Sequence, residues 1–540
     1  MTHAAAQLGR QPMTVLEMDL RQRISGVDTP IIYRLCSADL VPPPGLDARP
    51  VIERVQTLPT RLDIGESLGM RAAISIQCRD FINDGDVAGG PAARDATFWR
   101  LLKARVPYVA NRPARIITGY LIDGVFIPER TLHYLLVRID GPDRQGMVTI
   151  HLTDALIRTE NRKAQAPGVG TGTLLAGIAA EATTATIAPS ESADDYRVAG
   201  YLRIGDSREI IGFSRIGTTL ALQRGQLGTI AEAHVAGDTI QEIVVIQDAT
   251  LAEVTRLLVV EYAGIDPDLI DWPAWQDEDD AWLGAFRVSA IIWDPTGVAT
   301  LLQELTQQFP FFIVYDARVP RLDFQAIKPS IFNLVGSYNE RDHLLRDSIE
   351  ISEDHEKRVS QIWFYFGVKD PSGQSDDPRN FQRLVPFIDR EAESDYGDKR
   401  IRKVFSRWLP ADRAATVLSI AERMLLRLRD GRQVIAFHLD AKDGEAWVGD
   451  NVEITTRHLI DTDGVPRTIP VQIIEAKEQV AGTSLAYQAE TLRFASRYCL
   501  YTSDEMPLYQ RATPAQRARY GFYADDDDLI GGTDPAYLYL

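Results

Sequence analysis

Short runs of β-branched and aromatic residues, each cut off by glycine, proline or aspartate, recur along most of the chain. PIIYRLC, RAAISIQC, ARIITGYLIDGVFI, HYLLVRI and MVTIHL carry the pattern up to about residue 156. Side chains branched at Cβ suit a pleated sheet and lose freedom in a helix. Runs of this length between turn residues read as strands. A chain dominated by them folds into β-domains. No apolar run approaches the roughly 18–20 residues that a membrane-crossing helix needs.

The pattern divides the chain. One helix, ATFWRLLKARV, interrupts the first strands, with Phe98, Leu101, Leu102 and Val106 near helical spacing. RKAQAPGVGTGTLLAGIAAEAT (162–183) reads as a linker followed by a small-residue helix. YRVAGYLRIG, SREIIGFSRIG, TLALQRG and DTIQEIVVI are short strands between Gly, Asp and Ser turns, which suggests a small inserted β-module. In TLAEVTRLLVVEYAG, Thr250 and Glu253 have capping-box spacing, and Leu251, Val254, Leu258 and Tyr262 mark one apolar face. A second helix, TGVATLLQELTQQF, stops at Pro310, and FFIVYD and RLDFQAI read as a hairpin behind it. Strands return with RDSIEISED and RVSQIWFYFGV. The amphipathic helix PADRAATVLSIAERMLLRLRDG follows, then QVIAFHLD, DNVEITTRHLI, RTIPVQIIEAKEQV and SLAYQAETLRF. From about residue 498 the chain is polar, aromatic and weakly periodic.

The expected fold is therefore mainly β with an α+β part. The expected division is a β-domain at 1–160, a linker and helix at 161–187, a small β-module at 188–247, an α+β domain at 248–330, a second β-domain at 331–497 and a tail at 498–540. A length of 540 residues allows roughly three to five domains. The formal charge of −18 gives no overall pull toward DNA or an anionic membrane. Cys36, Cys78 and Cys499 form no CxxC pair, so neither a disulfide framework nor a four-cysteine metal site is expected. The opening MTHAAAQLGRQPMTVLEMDL has neither the apolar core nor the flanks of a secretory signal.

Motifs for chemistry fall short one by one. RGQLGT lacks the lysine of a phosphate loop and lies between strands, so Gly225, Gly228 and Gly237 are expected to supply turn geometry. His234 has no histidine or carboxylate at ligand spacing and is expected in a turn. GVGTGT (168–173) has the wrong glycine spacing for a dinucleotide fingerprint, and GFSRIG misses a nucleophile elbow by one residue. No HExxH occurs. DWPAWQDEDDAW (271–282) mixes acids and tryptophans, as a sugar cleft does, yet reads more simply as a surface loop docking its tryptophans into the core. DDDD (525–528) lacks the alternation of a calcium loop. No catalytic, cofactor-binding or metal-binding residue is assigned.

Several stretches, in serial order, resemble the central hub or tail-tip proteins of long-tailed bacteriophages. VIERVQTLPTRLDIGESLGMRAAISIQCRDF and TFWRLLKARVPYVANRPARIITGYL look like that family's first tube-like domain. GYLRIGDSREIIGFSR through LALQRGQLGTIAEAHVAGDTIQ resembles a small β-module of tail proteins. LLVVEYAGIDPDLID and DPTGVATLLQELTQQFPFFIVYDAR resemble the hub's α+β domain. SRWLPADRAATVLSIAERMLLRLRDG and HLDAKDGEAWVGDNVEITT resemble its second tube-like domain, and TPAQRARYGFYADDDDLIGG its C-terminal tail. Some relatives hold a cysteine-rich insert near the N-terminus. The matching region here has Cys36 alone, so no metal is carried over.

The resemblance implies a non-enzymatic virion protein at the phage tail tip or baseplate, made in the host cytoplasm. Three copies, each with two tube-like domains, would form a ring that adapts the sixfold tail tube to a threefold tip and lines the DNA channel during ejection. Implied partners are a distal tail protein, the tape measure protein and a central fibre, without sequence-specific nucleic-acid binding. The alternatives are a carbohydrate-cleaving tail component using acids within 271–280, or a carbohydrate-binding receptor module using the tryptophans. The tail aromatics Tyr501, Tyr509, Tyr520, Phe522, Tyr523, Tyr537 and Tyr539 lack a periodicity that would bury them. They are expected to lie along a partner.

Overall fold

The computed structural model describes residues 11–24, 27–82, 97–328, 334–460, 464–480 and 482–491, with 507–513, 517, 521–522, 529–530 and 534–535 beyond them. The fold is mainly β with an α+β part, as the strand pattern requires. Seven strands close a barrel in the spatial order Gln11–Ile24, Val27–Ser37, Arg49–Leu58, Ala73–Arg79, Met147–Thr153, Val125–Asp140 and Pro113–Ile122. Closure pairs the first strand with the last, Val15 opposite Ile117. Alternation is visible in Ala73–Arg79, where Ile74, Ile76 and Cys78 point inward. The helix Phe98–Arg105 buries Phe98, Trp99 and Leu102 against it.

A second large sheet runs Leu334–Asn339, Asn451–Ile460, Pro466–Val480, Ser484–Glu490, Arg432–Asp440 and Glu350–Asp354. A smaller sheet of Phe381–Ile388, Gln361–Val368 and Ile401–Phe405 packs on the helix Ala414–Leu428, whose Val417, Ile420, Ala421, Leu425 and Leu428 are buried. Between the barrel and these sheets lies the α+β part. Its capping box is present: Thr250 Oγ1 accepts from the Glu253 N–H, and Glu253 accepts from the Thr250 N–H. The helix Leu251–Arg256 widens into a π turn, Leu257–Tyr262. The helix Val298–Gln308 and the hairpin Phe311–Asp316/Arg321–Ala326 follow.

Barrel and second sheet are locked by one hairpin. The strands Arg61–Asp63 and Ser67–Met70 leave the barrel between two of its strands and join the second sheet at Arg61 opposite Glu475. Leu62 and Ile64 are buried there. The turn is held by arginines of the other unit. Arg432 reaches Asp63 Oδ1 at 2.9 Å and clamps Glu490, Arg427 donates to the Ile64 carbonyl at 2.9 Å, and Arg402 binds Glu66 at 2.7 Å. Burial opposes the Asp63 charge, but Arg432 and Lys357 hold its carboxyl below the usual pKa. A second seam lies at Tyr120, whose hydroxyl donates to the Gly482 carbonyl at 2.6 Å, and at Glu478, which accepts from Thr118.

The 162–183 segment corrects the sequence reading. It holds no helix. Gln165–Ala166 and Thr173–Leu174 are short strands, and Ile178 bridges to His234. Small residues without an apolar stripe give a helix nothing to bury, whereas the neighbouring sheet offers an edge. A seven-stranded sheet results, in the order Thr173–Leu174, Thr184–Ala188, Thr219–Gln223, Ile211–Ile216, Ala199–Ile204, Ile240–Ala249 and Val288–Ile292. Its core of Leu202, Ile204, Ile211, Phe213, Leu220, Leu222 and Ile240 is separate from the main one. The strand Ile240–Ala249 serves both parts: Tyr201 pairs with Ile243 and Ile291 with Val245.

Replacing Arg432 with alanine leaves the Glu490 carboxylate buried without its cation. The expected cost is about 3–5 kcal/mol, read from the chemical-denaturation midpoint. A loss under 1 kcal/mol would show that the Glu490 carboxylate does not depend on Arg432.

Candidate functional site

A densely built polar site lies where Gly225, Gly228 and Gly237 cluster in sequence. All three glycines have positive φ, at 59°, 81° and 89°. A Cβ on Gly225 would also stand 3.0 Å from the Thr229 carbonyl oxygen. These are turn residues on backbone that side chains resist. The turn wraps a carboxylate that spacing did not reveal. Glu209, whose side chain is fully buried, accepts from Arg224 Nε and Nη2 at 2.9 and 2.7 Å, from the Gly225 and Glu232 amides at 2.9 and 3.0 Å, and pairs with His234 Nε2 at 3.3 Å. Burial works against its charge, yet these donors prevail and bring its pKa down to about 2.

This corrects the reading of His234. It is buried rather than set in an open turn, and a carboxylate does sit beside it, contributed by the loop before the strand Ile211–Ile216, 25 residues away. The signal available in sequence was a glutamate set directly before the apolar pair Ile210–Ile211, where a charge survives only if it is partnered. Arg224, isolated in sequence, spends its fork on Glu209 and on the Ala179 carbonyl, so it is not free to cradle a phosphate.

GVGTGT packs for another reason. The Tyr196 hydroxyl sits between Gly170 and Gly172, accepting the Gly172 N–H at 2.9 Å and donating to the Ile240 carbonyl at 2.7 Å. A Cβ on Gly170 would lie 2.4 Å from that carbonyl oxygen. GFSRIG falls on a strand, Ile211–Ile216, and its turn.

The acid- and tryptophan-rich segment is a helix, Trp272–Trp282, not a surface loop. Asp271 caps it through the Ala274 N–H, with Pro273 in the first turn. Trp275 is buried and donates to the Leu322 carbonyl at 2.9 Å. Asp271, Glu278 and Asp279 are occupied structurally. Asp279 accepts the Ala252 N–H at 3.1 Å, and Glu278 holds Lys328 at 2.7 Å. Burial raises the Asp279 pKa. Among the described residues, no three His, Cys, Asp or Glu side chains converge as metal ligands. No described helix is long and apolar enough to cross a membrane. The DDDD run lies outside the described residues. In the tail, Tyr509 meets Phe522 edge-on at 5.1 Å, and Phe522 is buried with Ala512 and Ile530, so these aromatics find cover within the tail itself.

Because Glu209 is ionised more readily folded than unfolded, its contribution is complete above about pH 4.5 and is lost as pH falls toward 2. Protection of the Gly225 and Glu232 amides, corrected for intrinsic exchange, should fall across that window. In Glu209→Gln that acid dependence should vanish. A flat wild-type profile contradicts the wrapped carboxylate. Gly225→Ala should cost about 1 kcal/mol or more by thermal unfolding.

No family model and no curated protein matches this chain. Solved structures similar to it include prophage tail protein gp18 from Listeria monocytogenes EGD-e, at 10% identity, TM-score 0.37, covering 89% of this chain and 95% of that one. A tail protein from Neisseria meningitidis MC58 aligns at 9% identity and TM-score 0.38, covering 89% and 96%. The 43 kDa tail protein of prophage MuSo2 from Shewanella oneidensis aligns at 10% and 0.38, covering 89% and 96%. Superpositions this loose carry no argument about role.

Proposed function

We propose that this chain is a structural component of a bacteriophage tail, the central hub of its tip or baseplate. One observation carries the reading: two β units of a single chain are fixed to one another by the inserted hairpin at 61–70. A ring that presents six similar units from three chains needs that rigidity, because a flexible joint between the paired units would let the channel wall deform. The serial resemblance to tail-hub proteins supplies the number three. The domains proposed are two tube-like units at 1–160 and 331–497, with the small module at 188–247 and the α+β part at 248–330 between them. The tail at 498–540 would meet a central fibre or another tip protein. An acidic lumen would let DNA pass without sticking. An enzymatic role finds less support, since Asp271, Glu278 and Asp279 serve as caps and ion-pair partners.

Native mass measurement and imaging of the assembled tip test this. Three copies around an open axis are expected. A monomer in the particle, or six copies, overturns the reading. Truncation after Arg497 should leave the trimer intact and prevent attachment of the distal component, measured by composition of purified particles.

A further inference from the structure

An open groove of about 550 Å³ lies where the small module meets the first helix of the α+β part. It belongs to neither the Glu209 cluster nor the seams between the two large β units. Arg197 comes from the module side and lies 4.4 Å from the centre of the Tyr262 ring. Arg256, on the helix, lies 5.1 Å from the centre of the half-buried Trp272 ring. Neither guanidinium forms a side-chain ion pair within 4 Å among the described residues. Glu253 and Glu261 complete the polar wall with Gln247. Glu253 already accepts the Thr250 N–H.

The π turn Leu257–Tyr262 shapes this wall. A regular helix would place Tyr262 on the stripe of Leu258, four residues earlier. The wider turn carries an extra residue, and Tyr262 ends half-buried beneath Arg197. Such turns break regular helical bonding and recur at binding sites.

We propose that this groove binds a short stretch of saccharide. Three properties select that class. The charges balance, two arginines against two glutamates, so a phosphate or a metal cation meets as much repulsion as attraction. The polar groups are planar and of both kinds, donors on arginine and acceptors on glutamate, as neighbouring hydroxyls require. Trp272, half-buried with Arg256 over its ring, adds aromatic surface beside the guanidinium for the apolar side of a sugar ring, and the volume falls in the range of small-molecule sites. The groove is a feature of the single chain, and only the choice of bacterial-envelope glycans in the test rests on the tail reading.

The test uses the full-length protein on an array of bacterial-envelope oligosaccharides, with Trp272→Ala and Arg256→Ala in parallel. Wild type should retain a subset of glycans. Titration of a retained glycan should saturate the intrinsic tryptophan fluorescence change. Both variants should lose about tenfold or more in affinity. Arg256→Ala guards against misfolding, because it removes no buried ring. Its thermal midpoint should match wild type. If wild type retains no glycan above Arg256→Ala, the proposal is overturned. It is equally overturned if inorganic phosphate displaces every retained glycan, which would mark an anion site instead.

Discussion

The hairpin at 61–70 is the contact on which the remaining architecture rests. A closed barrel satisfies its own strand edges and has no inherent reason to sit against another sheet. Here one loop of the barrel becomes a strand pair of its neighbour, and Arg402, Arg427 and Arg432 bind its turn from the other side. Three arginines directed at one turn would repel one another if unpaired. Asp63, Glu66 and Glu490 and the carbonyl of Ile64 make the cluster self-consistent. Buried charge of this kind adds little net stability but penalises any other arrangement of the two units.

The module follows a different logic. Its core is separate, yet its strand Ile240–Ala249 continues into the sheet that ends with Val288–Ile292. A continuous strand transmits orientation better than a linker, because its backbone bonds on both sides fix twist and direction. Within the module, Glu209 does for three loops what a small metal site does elsewhere: it gathers Arg224, His234 and two amides around one charge.

Much of the fold was legible from periodicity. Most strands of both large sheets, the capping box at Thr250 and the helices ending near Gln308 and Leu428 follow from local pattern, while Gln11–Ile24, Arg49–Leu58 and Leu334–Asn339 were not picked out as strands. Three readings failed where the answer depended on distant residues. The Gly- and Ala-rich 162–183 segment became strands because a sheet edge was available. The Trp272–Trp282 segment became a helix because Asp271 and Pro273 start one and Trp275 has a pocket beneath Leu322. His234 became a buried partner because Glu209 folds back onto it. The hairpin at 61–70 was not legible as a seam, since its strands are only three and four residues long.

The sequence by itself determined most of the strands and helices and which face of each is apolar, because those preferences act within a few residues. It also left the glycines of the Gly225 turn without the lysine that would make them a phosphate cradle. Only the tertiary structure decided what pairs with what: that barrel and second sheet interlock, that Glu209 is the centre of the glycine-rich turn, and that Arg197 and Arg256 share a groove with Trp272. Those outcomes depend on charges and rings brought together across tens or hundreds of residues. No local preference encodes them, since the same arginine is equally at home in water until a buried carboxylate or an aromatic face is brought to it.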